Sequence, residues 1–140
     1  MATTTATITL ASSDMMDNVI SISNTATLTK AGNDTGLTET TGLSRKKTNT
    51  GNNEVLLNTD AGAGSDVTAQ KSAKVYIKNI NDRGDGSKYV TILLEDTEIG
   101  RLYGGDWMFI PWDATSSGKD IEYTCSDTTE TTLEYVCFYE

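Results

Sequence analysis

The side chains of this sequence that could act on a substrate are carboxylates. The chain has 20 Asp and Glu residues and no His, so it lacks the commonest general base and the usual activator of a Ser or Cys nucleophile. Asp96 and Glu98 lie two residues apart, the spacing that places both side chains on one face of a β-strand. Asp120 and Glu122 repeat this spacing. A glycosidase needs two carboxylates that flank a sugar in a cleft, and no pattern in the sequence marks a cleft. We therefore expect no catalytic residue and no enzymatic activity, with a small hydrolase that uses Asp96 or Glu98 as an alternative.

The segment Asn81–Ser87 (Asn-Asp-Arg-Gly-Asp-Gly-Ser) carries oxygen-bearing side chains of the kind that Ca²⁺ prefers. Arg83 occupies the position of the middle ligand, however, and no distal bidentate Glu follows, so we expect no metal site. The tripeptide Arg83-Gly84-Asp85 is similar to the integrin-binding motif, but so short a match arises easily by chance, and turns favour Gly and Asp. Asp85-Gly86 is a good hairpin signal, and we predict a plain hairpin turn here.

The chain has two cysteines, Cys125 and Cys137, which fall in consecutive predicted strands. A hairpin centred near Thr129 would leave them out of register, and a disulfide requires close Cα atoms. We therefore predict two buried free thiols. A redox or metal-binding pair is the alternative, but no third or fourth ligand of the usual kind is nearby. We expect no cofactor.

Five aromatic side chains would form a carbohydrate-stacking platform if they faced solvent: Tyr103, Trp107, Phe109, Trp112 and Tyr123. In the segment 107–112, alternation places Trp107 on one strand face and Trp112 on the other. A strand that is apolar on both faces is buried on both. We expect one face to pack in the core and the other to lie in the core or in a subunit interface, so both tryptophans are candidate interface residues.

The net charge of −9 argues against a nucleic-acid partner, because binding to phosphates requires Lys and Arg to replace counterions. The one basic cluster is Arg45-Lys46-Lys47. We interpret it as a solvated loop or as an arm contact to an acidic neighbour, which could be another copy of the chain. The cluster therefore joins the two tryptophans as a candidate interface.

The elements that must position these residues are strands, as the chain is rich in Thr and has a single Pro, and Thr suits a half-exposed strand. Residues 12–17 form a loop or a short helical turn. Residues 31–53 are rich in Gly, Asn, Thr and Ser and form a long loop, an arm, or a strand that orders only against a neighbour. Alternating patterns predict strands at 3–10, 18–30, 54–59, 74–80, 89–95, 98–103, 107–112, 121–126 and 133–139.

Short strands separated by turn signals are typical of an antiparallel β-sandwich or a jelly-roll-like domain. We place a soft boundary near residue 70, after the Gly-rich stretch 60–66. Residues 1–70 then hold the N-terminal strands and an extended arm or loops, and residues 71–140 form the C-terminal β-sandwich domain. Whether the first part completes the sandwich or reaches a neighbouring subunit stays open.

The sequence lacks both a membrane-helix pattern and a signal-peptide pattern, and this bears on the compartment in which the protein is made. No stretch approaches the ~20 apolar residues of a membrane helix, and the Met-Ala-Thr-Thr-Thr start lacks the basic and apolar blocks of a signal peptide. We expect no membrane partner and synthesis in a reducing cytoplasm.

The second half of the chain resembles the C-terminal portion of small virion structural proteins of tailed bacteriophages. A Gly-x-hydrophobic strand precedes an aromatic strand that ends in Pro, and later strands lead to a terminal Thr-x-Leu-Glu-Tyr strand. The Thr-rich, Ser-rich first half is also similar to such proteins. The segments that carry the resemblance are Glu98–Leu102, Trp107–Trp112, Asp120–Thr124 and Thr132–Glu140.

This resemblance implies a non-enzymatic β-sandwich, often oligomeric, that is made in the cytoplasm of the bacterial host and located in the virion. It implies partners such as the major capsid protein or other virion proteins. Among these roles a capsid decoration (cement) protein bound in many copies is our first choice, because the chain is small and acidic. The alternatives are a neck, tail or baseplate component, and a glycan- or receptor-binding module.

Overall fold

The computed structural model describes residues 3–14, 19–48, 51–59, 67, 70–84, 86–115, 118–126 and 130–140. The fold is all-β, as the sequence predicts, and no helix in the described part is long and apolar enough to cross a membrane. The strands are β1 (Thr5–Ser12), β2 (Ile20–Thr27), β3 (Glu39–Thr40), β4 (Ser44–Thr48), β5 (Glu54–Leu57), β6 (Gln70–Asn79), β7 (Tyr89–Leu94), β8 (Thr97–Tyr103), β9 (Trp107–Ala114), β10 (Ile121–Cys125) and β11 (Thr131–Tyr139).

Strands β4 to β11 form two antiparallel four-stranded layers. Sheet I has the order β5-β10-β7-β8, and sheet II has the order β4-β11-β6-β9, with the short β3 also paired to β11. If β4 is counted as the first strand and β11 as the eighth, sheet I has the order 2-7-4-5 and sheet II has the order 1-8-3-6. This is the strand order of a jelly roll, a double-sheet fold in which the chain changes sheet at nearly every connection.

The core lies between the two sheets because the side chains of each strand alternate between its faces. In sheet II, Val75 and Ile77 of β6 point inward and are fully buried. In sheet I, Ile92 of β7 and Tyr123 of β10 are paired neighbours and are equally buried. Trp112 closes one end of this core, where its indole N–H donates a hydrogen bond of 2.8 Å to the Lys119 carbonyl.

The connections between strands differ from two hairpins that the sequence predicts. The predicted hairpin turn at 81–87 instead carries the chain from β6 in sheet II to β7 in sheet I. Strands β10 and β11 likewise belong to different sheets and do not pair with each other. A two-residue hairpin does join β7 to β8, and its turn residues Glu95 and Asp96 both have positive φ, at 48° and 60°. That geometry matches the turn type favoured in tight hairpins.

Residues from before position 70 contribute to both sheets. Strand β5 pairs with β10 at one edge of sheet I, and β4 pairs with β11 at one edge of sheet II. The segment 31–53, whose state the sequence leaves open, therefore contains strands that order against this same chain. Of the segment 12–17, residues 15–17 lie outside the described residues.

Strands β1 and β2 form a separate two-stranded sheet, the N-terminal hairpin. Its pairing runs from Thr5 opposite Thr27 to Ser12 opposite Ile20. At its base the Leu28 amide donates to the Thr4 carbonyl, and the Leu37 amide donates to the Leu28 carbonyl. The hairpin is thus an appendage held at one end, and β4 to β11 form the body.

Two truncations test how the N-terminal hairpin and β4 contribute to the stability of the body. We predict that removal of residues 1–27 leaves a cooperatively folded protein, because the hairpin takes no place in either sheet of the body. Removal of residues 1–53 strips β3 and β4 from β11, and we expect it to lower the melting temperature by about 10 °C or more or to abolish cooperative unfolding. Circular dichroism melts of both truncated proteins measure this, and equal melting temperatures would show that β4 does not stabilise the body.

Candidate interaction surface

Three of the four carboxylates that the sequence offers for chemistry, Asp96, Asp120 and Glu122, accept hydrogen bonds within the chain. Asp120 accepts bonds from both the amide and the hydroxyl of Thr59, at 2.9 and 3.1 Å. Glu122 accepts from the amide of Asp96 at 3.0 Å, and Asp96 accepts from the side chain of Asn53 at 2.8 Å. The described residues contain no group of three or more Cys, Asp or Glu that could hold a metal ion. The Asp96 and Glu122 carboxylates thus tie the turn between β7 and β8 to Asn53 and to β10, whereas Asp120 holds Thr59.

The Arg83 side chain is engaged within the chain. Its guanidinium pairs with the Asp106 carboxylate at 3.0 Å and lies against Gly105, where a Cβ atom would approach its Nε to 2.7 Å. A Cβ on Gly104 would lie 2.3 Å from the Asp82 carbonyl oxygen, so this turn requires glycine. Asp85 lies outside the described residues. The arginine of the tripeptide thus braces the turn that leads into β9.

Both cysteines are free thiols. Cys137 is buried in sheet II, and Cys125 is half-buried in sheet I, where burial raises the pKa of its thiol. Its Sγ lies 3.6 Å from the Thr48 hydroxyl. A raised thiol pKa reduces the thiolate fraction at neutral pH, which makes the group less reactive.

The three basic residues of the cluster point to two sides of β4. Arg45 pairs with Glu134 and Lys47 pairs with Glu130, each at 2.9 Å. Lys46 points the other way, where its ammonium lies 5.1 Å from the centre of the Tyr123 ring and donates to a backbone carbonyl. The acidic neighbour of this cluster is therefore β11 and its flank in the same chain. Exposed pairs of this kind contribute little to stability, but they charge an edge strand and so discourage pairing with other chains.

Tyr123 is the largest fully buried side chain of the core. Its hydroxyl donates a hydrogen bond of 2.6 Å to the Glu54 carboxylate at the end of β5. Burial and this negative acceptor raise the pKa of Tyr123 to about 12. A phenol inside the sandwich thus reaches the polar rim and joins β10 to the first residue of β5.

The aromatic residues do not form one platform. Tyr123 and Trp112 are buried, so Trp112 cannot contact a partner surface. Tyr103 projects from the outer side of sheet I, because its neighbour Leu102 points into the core. Trp107 projects from sheet II and is 50% exposed. Of the two candidate interface tryptophans, Trp107 is therefore the accessible one.

The outer face of sheet II carries an aromatic cluster where β6 and β9 pair, with Lys74 and Lys78 beside it. Tyr76 and Phe109 are cross-strand partners there, and the Tyr76 and Trp107 rings lie 6.3 Å apart. The base of the N-terminal hairpin lies over these rings with clefts between. A cleft of about 240 Å³ separates Ile8 of the hairpin from the three aromatic side chains, and a second of about 470 Å³ lies beside Phe109.

Toward the outer end of the N-terminal hairpin, large apolar side chains of the described residues are exposed. Residues of one hairpin face, Ala6 and Ile8, are partly buried near the base, but Leu10 and Ile22 are each 54% exposed. Leu10 and Ile22 are cross-strand partners, and Ile20 extends the same face. We call Leu10, Ile20 and Ile22 the apolar tip. The other face carries hydroxyls, with Thr7 bonded to Thr25 at 2.8 Å. The alternation of Thr with apolar residues predicts such a two-faced strand, but not that its apolar end is left open.

Comparison with known proteins yields no family model, no curated protein and no solved structure that matches this chain.

The Tyr123–Glu54 contact gives a measurable pH dependence. The pKa of Tyr123 is raised from 10.0 to about 12 in the folded protein, so above pH 10 the unfolded chain loses a proton that the folded chain keeps. The free energy of unfolding therefore falls between pH 10 and pH 12. We predict that Tyr123→Phe weakens this fall and costs about 1–2 kcal/mol at neutral pH, because a partly buried bond to a charged acceptor is lost.

Denaturant titrations at a series of pH values measure both effects. Tyr103→Phe is the matched control, because that ring projects to solvent. Parallel pH profiles for the wild type and Tyr123→Phe would contradict the assignment.

Proposed function

We propose that this protein is a non-enzymatic structural protein of a tailed-phage virion, and that it acts as a capsid decoration protein bound to the shell in many copies. It is made in the cytoplasm of the bacterial host. Its partners are the major capsid protein or other virion proteins, together with further copies of itself. It requires no cofactor, nucleic acid or membrane.

The observation that carries this proposal is the contrast between a closed body and an open appendage. Within the described body, the ionic groups best placed for chemistry or recognition are paired with each other, as in Arg45–Glu134 and Arg83–Asp106. The apolar tip of the N-terminal hairpin, in contrast, projects large side chains into solvent. Exposed apolar groups that are contiguous mark protein contact sites, so the molecule has the form of an adaptor.

Two further features agree with this role. Jelly rolls recur in viral capsid proteins, although a shared fold by itself does not establish a shared function. The acidic surface, with a net charge of −9, suits a location on the outside of a shell, away from packaged nucleic acid, because it repels phosphates.

Quantitative mass spectrometry of purified particles tests the proposal. We expect a copy number comparable with that of the major capsid protein, because a decoration protein follows the symmetry of the shell. A copy number equal to a single ring would instead support the neck, tail or baseplate alternative. Absence from the particle would contradict a structural role.

A glycan-binding module is the second candidate, and the exposed Trp107 ring beside the half-buried Tyr76 ring favours it. Aromatic rings that face solvent can stack on sugar rings. On this alternative, Trp107→Ala abolishes binding on a glycan array, whereas Tyr103→Ala, on the outer side of the other sheet, leaves binding intact. If the wild type binds no glycan, this candidate is excluded for the sugars on the array.

A further inference from the structure

The N-terminal hairpin is too small to be stable by itself. A two-stranded sheet is marginal in water unless a third strand or a packed face supports it. Among the described residues, support is seen at the base, where Leu28 is buried and Ala6 and Ile8 are half-buried. In the outer half, Leu10 and Ile22 are exposed on the apolar face, and Thr9 and Ala11 are exposed on the other face. Something other than this chain's own body must cover the apolar tip if the hairpin is to be rigid.

The charge distribution identifies the occupant. Strands β1 and β2 (Thr-Ala-Thr-Ile-Thr-Leu-Ala-Ser and Ile-Ser-Ile-Ser-Asn-Thr-Ala-Thr) contain no charged residue, although the whole chain has a net charge of −9. Two copies of an acidic protein repel each other over most of their surfaces. At the N-terminal hairpin they can meet without placing like charges in contact, so a second copy fits here.

The geometry of the apolar tip also suits a two-fold contact, in which each copy uses the same patch. Leu10 and Ile22 are directly opposed across the hairpin, so the patch is compact and can pack against its own image. When two hairpins cross in opposite directions, the end that carries Asp14 points toward the base of the other copy. Lys30 and Lys74 line the cleft at that base, which makes the crossing favourable in charge.

We propose that this protein forms a homodimer through its N-terminal hairpins, with the apolar tips of two copies packed face to face. The Thr and Ser face of each hairpin stays in water, as is usual for antiparallel sheets with one covered side. The inference deepens the proposed function by naming a partner, and it rests on that function only in treating the hairpin as a protein contact.

Analytical ultracentrifugation of the purified full chain over a micromolar concentration series tests this proposal. We expect the mass to rise from 15.1 kDa toward twice that value. Ile22→Asp and Leu10→Asp should each weaken dimerisation by about tenfold or more, because they place a charge in the centre of an apolar contact. The matched controls are Ser23→Asp and Thr9→Asp, which add the same charge to neighbouring positions on the hydroxyl face, where we expect little change.

Ile22→Thr keeps a β-branched residue in the strand and removes apolar surface, so it weakens the dimer even where an Asp variant disturbs the hairpin. Protection of the β1 and β2 amides in hydrogen exchange shows whether each variant retains the hairpin. A wild type that stays monomeric throughout the series, or a dimer that tolerates Ile22→Asp as well as Ser23→Asp, would overturn the proposal.

The outcome is separable from that of the particle measurement. If the protein is monomeric but abundant in particles, the virion role stands and the dimer is contradicted. The apolar tip would then contact a different virion protein. A dimer that depends on the tip but is absent from particles would support the dimer and contradict the virion role.

Discussion

Pairing on both edges of β11 is the interaction on which the rest of the structure depends. One edge of this strand pairs with β6 over seven residues, from Leu133 opposite Asn79 to Tyr139 opposite Ala73. The other edge pairs with β4 and then with β3. The last strand in the sequence therefore brings the first body strand next to the middle of the chain. Sheet II can form only once β11 is present, as expected for a fold dominated by non-local contacts.

This pairing also decides where the polar groups go. Because β4 lies beside β11, Arg45 meets Glu134 and Lys46 reaches the ring of Tyr123 on the opposite sheet. The Thr41 hydroxyl accepts a bond from the amide of Cys137 at 3.0 Å. Arg45 and Lys46, which belong to the candidate basic interface in the sequence, instead make contacts with β11 and β10 of the same chain.

The sequence predicts strands well where each strand has two distinct faces. All six strands of the second half appear close to their expected positions, because alternation between Val75, Tyr76 and Ile77 is a local property. Sheet membership is not local, which is why 81–87 looks like a hairpin turn although it joins two sheets. The sequence leaves the state of β4 (Ser-Arg-Lys-Lys-Thr) open, because an edge strand that pairs on one side can consist largely of charged residues. Likewise, the pattern around Trp107 and Trp112 assigns them to opposite faces, but only the packing of the sheets shows that Trp112 is the buried one.

The edges of the body explain why association through the N-terminal hairpin is physically reasonable. An exposed edge strand invites pairing with other chains unless charge, Pro, a bulge or shortness prevents it. Each of the four edges has such a device: β4 is charged, β9 contains Pro111, β5 has four residues, and β8 has an extra residue at Ile99. The N-terminal hairpin has none of these features in either strand, and its apolar tip is open. Each body edge has a feature that discourages pairing, whereas the N-terminal hairpin is uncharged and its apolar tip is exposed. Association is therefore favoured at the hairpin over uncontrolled pairing of the body's sheets.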